Sequence, residues 1–235
     1  MDRFLKTTIL LLMGAFLFMS VMDGSVLFYI NQRFVTLTWL AAGGFLLVGA
    51  SYYLAGGRQT AVSLGREPLT WVGLLIASLP LLFGWLAPTQ PLGAAAIGNR
   101  EINMGGIASV PSGSGVSLGS GERNIIDWLS EFQRRNDPAS FNGESAQLVG
   151  FVYRDERFPE DTFMVARFTV SCCVADAAPI GLVVRWPEAA EFPLDQWVEI
   201  NGRFQVGEFN GQQIPILIAE EIVRIDPPRH PYLYL

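Results

Sequence analysis

Unbroken apolar runs occupy the first third of the chain and strict alternation occupies the last part, so the two ends are patterned for different elements. Thr7 to Met22 is apolar, is interrupted by Asp23 and Gly24, and resumes from Val26 to Ile30, which reaches the ~20 residues that cross ~30 Å of hydrocarbon as a helix. Phe34 to Leu54 carries no charge between Arg33 and the Gly56-Gly57-Arg58 stop, and it predicts a second span. Leu69 to Leu86 is shorter and contains Pro80, which a lipid-embedded helix tolerates when neighbours satisfy the freed carbonyl, so it predicts a third. Arg3 and Lys6 ahead of the first run also fit a signal peptide. No small-x-small cleavage site follows Met22 and further spans come next, which favours a retained anchor.

Ala87 to Gly121 has no apolar period and is rich in Gly, Pro, Ser and Ala, including the string PSGSGVSLGSG; it reads as a flexible tether. Asn124 is placed to cap a helix running to about Arg135, with Ile125, Ile126, Trp128, Leu129 and Phe132 as its apolar face and Asp137-Pro138 as its end. Alternating segments then recur at Gln147 to Tyr153, Thr162 to Cys173, Gly181 to Trp186, Trp197 to Phe204 and Ile214 to Ile225. Five short strands, with Gly150 and Gly202 where a coiled strand needs a bend, predict a small barrel of the OB type, with a small β-sandwich as the alternative. The expected organisation is therefore a membrane α-helical N-terminal region of about three spans over 1–88, a linker over 89–122, and a soluble, mostly β, OB-like domain preceded by one helix over 123–235.

Charge sharpens that division. Of 22 acidic and 16 basic residues, 18 acidic and 10 basic lie from Glu122 onward, and no lysine follows Lys6. An acidic domain without clustered cations argues against nucleic-acid binding, which needs Lys and Arg against phosphate. Arg3 and Lys6 fall on one side of the membrane with Arg58 and Arg66, against Arg33 and the distant Arg100 on the other; with three spans this predicts a cytoplasmic N-terminus and a β domain outside the cytoplasm.

Candidate chemistry is confined to a few positions. Ser171 to Pro179, SCCVADAAP, brings together two thiols and a carboxylate, and a thiolate is both a soft metal ligand and a nucleophile. Cys172, Cys173 and Asp176 are the candidate metal ligands, for a divalent ion such as zinc. On a regular strand the adjacent cysteines would point to opposite faces, so the site requires the strand to end there; the bland alternative is one buried cysteine beside an incidental one. His230, the sole histidine, reads as a solvated tail residue before it reads as a ligand. Asp23 is either interfacial or part of a membrane pathway. Ala41, Ala42, Gly43, Gly44, Gly49 and Ala50 would let the second span pack closely on another helix. Phe151, Tyr153, Phe163, Phe168, Trp186 and Trp197 form either a stacking platform or barrel core and rim. There is no phosphate loop, dinucleotide glycine pattern or HExxH, and the chain is not expected to be an enzyme.

The helix at IIDWL, the segment FNGESAQLVGFVYRDERFPEDTFMVARFTVSCCVADAAPIGLVVRW and the later WVEINGRF resemble the bacterial DUF1980 family of permease subunits, with GFVYRD and CCVADA as the specific strings. The resemblance covers nearly the whole chain. It implies an accessory membrane subunit that works with a separate multi-span permease, transport of a solute, and a link to metal supply; with the orientation above, the β domain is expected to bind or gate a solute or metal ion outside the cytoplasm. It carries over onto Cys172, Cys173 and Asp176, with Gly150 to Asp155 as the other shared segment, and brings no catalytic assignment. Two rival expectations remain: a membrane-anchored chaperone handling a thiol or cofactor, and a purely structural anchored β domain.

Overall fold

The structure is a computed structural model that describes residues 2–54, 71–86, 89–98 and 123–234. It divides into two compact units, Met1–Gln90 and Pro91–Leu235.

The first unit is helical: α1 (Asp2–Met22), α2 (Val35–Leu54) and α3 (Trp71–Leu86). Phe4–Met22 and Gln32–Leu54 are long and apolar enough to cross a membrane. Their connection is fixed by polar caps: Asp23 Oδ1 accepts from Ser25 N at 2.8 Å beside Gly24 at φ 81°, and Asn31 Oδ1 accepts from Arg33 N at 3.0 Å. Asp23 is therefore a turn-forming carboxylate. The two helices pack antiparallel through small residues; a methyl group added at Gly14 would lie 2.8 Å from Leu46 Cγ, one at Gly49 would lie 2.8 Å from Leu11 Cδ2, and Phe18 meets Trp39 edge to face at 5.1 Å. Of the small residues in α2, Ala42 and Gly49 are buried within this unit, while Gly43 and Gly44 have open space around them. Leu40, Leu47, Leu75, Phe83 and Trp85 remain exposed, an apolar surface on all sides that hydrocarbon solvates and water does not. The α3 helix has 16 residues with Pro80 inside, about 24 Å at 1.5 Å per residue and short of the ~30 Å core. Leu69, where the third span was expected to start, and Arg58 and Arg66 lie outside the described residues.

The second unit is a closed five-stranded barrel preceded by one helix. Its strands are β1 (Ser145–Tyr153), β2 (Thr162–Val170), β3 (Ala178–Arg185), β4 (Trp197–Phe209) and β5 (Gln212–Arg224), in the order β1-β4-β5-β3-β2, and closure comes from antiparallel pairing of β1 with β2. The β3–β5 pair is parallel and the others around the ring are antiparallel. Asn210 and Gly211, both at positive φ, make the two-residue turn from β4 to β5, a geometry that Asn-Gly adopts at low cost. Gly150 and Gly202 sit where backbones crowd: a Cβ at Gly150 would lie 2.6 Å from Ala166 O, and Gly202 sits at the register shift of β4 against the backbone of Ile218.

Alternate residues of all five strands fill the interior, among them Leu148, Phe163, Leu182, Ile200 and Leu217. One end is roofed by α5 (Ile125–Arg135), where Trp128 and Phe132 meet Phe204 edge to face at 4.7 and 5.3 Å. The helix starts at Asn124, whose side chain accepts from the N–H groups of Ile126 and Asp127 while Asp127 accepts from Asn124 N, a reciprocal cap. It stops at Asn136 in the left-handed conformation, followed by Asp137 capping the next turn.

The outer face is polar along the middle of β4, at Glu199 and Arg203, but apolar across β1 and β2, where Phe151, Met164 and Phe168 are buried together with Trp197 at the start of β4. Two further segments cover it. The C-terminal β6 (Tyr232–Tyr234) pairs parallel with β2 from Phe168 to Val170, and residues 92–98, including the single turn α4 (Ala94–Ile97), lie against the same cluster. Leu92 N donates to Tyr232 Oη at 2.9 Å, Ala94 N donates to Asp195, and Ile97 is 1 % exposed. This corrects the expectation of a flexible linker over 89–122 at its near end: Leu92 to Ile97 is packed because Ile97 and Ala94 bury apolar surface that the outer face would otherwise expose. The rest of that linker, from Asn99 to Glu122, lies outside the described residues.

Removing the Ile97 side chain leaves a cavity against the outer face, so Ile97→Ala is expected to cost about 2–4 kcal/mol of barrel stability. Urea unfolding of a fragment starting at Pro91 measures this, and a fragment starting at Arg123 should lose at least as much. Equal midpoints for all three would show that the segment contributes nothing.

Candidate metal site at the end of β2

The alternation of Thr162 to Cys173 predicts a strand through both cysteines, but β2 ends at Val170. One carboxylate accounts for the difference. Asp176 Oδ1 accepts from Ser171 N at 3.0 Å, and Oδ2 accepts from Cys172 N at 2.7 Å and from Cys173 N at 3.4 Å. Three consecutive N–H groups that a longer strand would have paired are satisfied locally, and the chain turns through Val174–Asp176 into β3. The local signal was present in the sequence, since Asp three residues after Cys173 is the spacing of a reciprocal cap, and the structure forms that cap.

Ending the strand brings the two adjacent thiols together. Cys172 Sγ and Cys173 Sγ are 3.7 Å apart, and the two sulfurs and an Asp176 carboxylate oxygen all lie within 4.8 Å of one another. Both cysteines are free, Cys172 exposed and Cys173 half-buried. The hydrogen bond from the Cys172 thiol to Asp176, followed by that to Cys173, pushes the Cys172 thiol up to about 11, because ionising it would place a second negative charge against the carboxylate. Desolvation acts to raise Asp176, but it is outweighed by the hydrogen bonds from the Cys172 thiol and from the N–H groups of Cys172, Ser171 and Cys173, and the carboxyl stays below its usual range.

The other sequence candidates are elsewhere. His230 is exposed and is not part of the cluster; its carbonyl, with that of Pro231 at 3.1 Å, accepts from Arg167. Arg167 was not singled out by its sequence. Burial pulls its guanidinium down to about 10, and it holds the segment leading into β6 beside β2 while lying 5.6 Å from the centre of the Trp197 ring. In the Gly150 to Asp155 segment, Asp155 accepts from Tyr153 Oη at 2.9 Å and from Arg157, and the Arg157 contact holds its carboxyl down at about 2. These contacts staple the β1–β2 loop. Phe151, Phe163, Phe168 and Trp197 are buried in the two clusters, and Tyr153 is nearly so, which fits core and rim in place of an open stacking platform.

The class defined by these features is a closed five-stranded barrel with an exposed vicinal dithiol beside a carboxylate, in a chain whose N-terminal helices are long and apolar enough to cross a membrane. Residues 120–235 match the model of the DUF1980 C-terminal domain, and through this domain the chain belongs to the DUF1980 family. The chain is 26 % identical over 101 residues to the UPF0703 protein YcgQ of Bacillus subtilis, covering 42 % of this chain and 35 % of that one. It is 27 % identical over 100 residues to a Streptococcus mutans protein named "Putative two-component membrane permease complex subunit", covering 41 % of this chain and 36 % of that one. The matched stretch thus spans about a third of the length of each relative. No solved structure matches.

The raised Cys172 pKa sets a pH dependence. The protonated thiol is the unreactive form and dominates below about pH 11, so alkylation of Cys172 by iodoacetamide in a Cys173→Ser background should rise roughly tenfold per pH unit from pH 7 to pH 10. Asp176→Asn removes the opposing charge and should speed the reaction at pH 8. A rate that levels off near pH 8.5 in the Cys173→Ser background with Asp176 in place would show that the carboxylate does not control the thiol.

Proposed function

We propose that this protein is an accessory membrane subunit of a two-component permease, in which the apolar helices dock a separate multi-span subunit within the lipid and the β domain captures or gates a solute, here a metal ion, at Cys172, Cys173 and Asp176. The observation that carries the reading is the convergence of three ligand atoms within 4.8 Å on an exposed loop of a domain tied to helices that offer no polar pathway of their own. Asp23, the one carboxylate near the first span's end, is engaged with Ser25, which supports an anchoring role for the helices. The name of the Streptococcus mutans relative supports the partner class.

Three further elements belong to the same reading. The β domain is of the OB type: the circular order β1-β2-β3-β5-β4, with its one parallel pair between β3 and β5, supports it, although a five-strand OB barrel commonly carries its helix between β3 and β4 and here α5 precedes β1. The α3 helix is a third span, short and with Pro80 inside it, and an odd number of spans with the Lys/Arg bias puts the N-terminus in the cytoplasm and the β domain outside it. The role is non-enzymatic and needs no nucleic acid. Against the rival of a redox or cofactor chaperone stands the raised Cys172 pKa, since reactive cysteines have depressed values. Against a purely structural role stands the exposure of that thiol.

Two experiments test the proposal. Co-expression with a candidate multi-span permease from the same organism should give a complex that survives purification, and a Cys172→Ser, Cys173→Ser double variant should still assemble while metal uptake falls at least several-fold. Unchanged uptake would remove the thiols from the function. In intact cells a membrane-impermeant maleimide should label Cys172 at pH 8 to 9; labelling only after lysis would put the domain in the cytoplasm.

A further inference from the structure

We infer that the loop from Ser171 to Asp176 is a three-ligand tetrahedral site for a thiophilic divalent ion of the zinc type, with its fourth position open, so that it passes the ion on instead of storing it. This rests on the reading of the loop as a capture site and adds the ion class, the geometry and the reason for exchange.

Metal–thiolate bonds of about 2.3 Å at tetrahedral angles place two sulfurs about 3.8 Å apart, whereas a linear S–metal–S arrangement with bonds of that length places them about 4.6 Å apart. Cys172 Sγ and Cys173 Sγ are 3.7 Å apart before any ion is bound. The bite is therefore already that of a tetrahedron. Two sulfur donors exclude calcium and magnesium, which take oxygen ligands. With a metal–oxygen bond of about 2.0 Å the third corner lies about 3.5 Å from each sulfur, and an Asp176 oxygen already lies within 4.8 Å of both.

Asp176 also explains why the bite is held without a metal. Its contacts to Ser171 N, Cys172 N and Cys173 N fix the backbone of both cysteines in the turn, so their side chains cannot separate to opposite faces as on a strand. The carboxylate is a positioning residue as well as the third ligand. On binding, each thiol gives its proton to solvent and two thiolates and one carboxylate surround the dication.

The fourth position is open because nothing in the loop fills it. Among the described residues no other His, Cys, Asp or Glu joins the group, and Cys172 and Asp176 both face solvent. Structural zinc sites close with four protein ligands, while three ligands and a vacancy leave room for an incoming donor. An incoming histidine or carboxylate of a partner subunit would enter there by ligand exchange.

The test uses the full chain in detergent with Co2+ as the probe, because cobalt reports both geometry and sulfur ligation in its visible and near-ultraviolet absorption. One Co2+ per chain is expected, with intense tetrahedral ligand-field bands and thiolate charge transfer, all displaced by Zn2+. Cys172→Ser and Cys173→Ser should each remove much of the charge transfer, and Asp176→Asn should weaken binding tenfold or more. Asp176→Asn also loosens the turn, so the cysteine variants, whose fold circular dichroism can verify, carry the decision. Weak octahedral bands without charge transfer, or binding indifferent to both cysteine substitutions, would overturn the site. If cobalt binds as described while uptake ignores the cysteines, the site stands and the permease reading fails. If uptake depends on the cysteines but no cobalt binds, the permease reading stands and the zinc-type site fails.

Discussion

Three residue pairs hold the second unit in its shape: Phe151 with Ala166, Val152 with Val165 and Tyr153 with Met164 close the sheet of β1 to β5 on itself. Closure removes the edges that an open five-stranded sheet would expose and creates one interior for the α5 helix to roof. It is also brief. Past Ala166 the strand β2 has parted from β1, and the space beside it is taken by β6, in parallel register from Phe168 to Val170. Past Val170 no strand accompanies it on that side, and Asp176 satisfies the backbone. The candidate site therefore begins where strand pairing gives way to the Asp176 carboxylate.

The same parting shapes the outer face. Strand parity sends Phe163 and Phe204 into the interior and puts Phe151, Phe168 and Trp197 on the outer face. They are covered by the chain itself, from one side by residues 92–98 and from another by β6, which Arg167 secures through two backbone carbonyls. Tyr232 joins the two covers, since its hydroxyl accepts the Leu92 N–H while its ring packs in the cluster. Among the described residues no carboxylate pairs with the half-buried Arg167, and its two carbonyl acceptors and the Trp197 ring offset the cost of covering its charge.

The first unit obeys a different constraint. In hydrocarbon every backbone group must be satisfied within its own helix, and association depends on close packing more than on burial from water. Gly14 and Gly49 serve that packing inside the unit, and the polar caps at Asp23 and Asn31 fall where the chain leaves one helix and enters the next. A long apolar helix with Leu on every side has no counterpart in the acidic barrel domain.

Local rules made much of this legible in the residues alone. Charge-free runs locate the long apolar helices, Asn124 locates the start of α5, and alternation bounded by turn residues locates five strands, because each depends on neighbours a few residues away. The grouping of Cys172, Cys173 and Asp176 was visible as spacing, but their geometry was not. Whether adjacent cysteines face apart or together is decided by where β2 stops: β6, about sixty residues later in the chain, accompanies it as far as Val170, and Asp176 takes the N–H groups that follow. Residues 92–98 have the composition of a tether and are ordered only because the outer face of β1 and β2 is apolar, a fact of strand parity and closure that no window around Ile97 contains. Pattern along the chain selected the elements; long-range pairing, which has no local signature, decided which side chains meet.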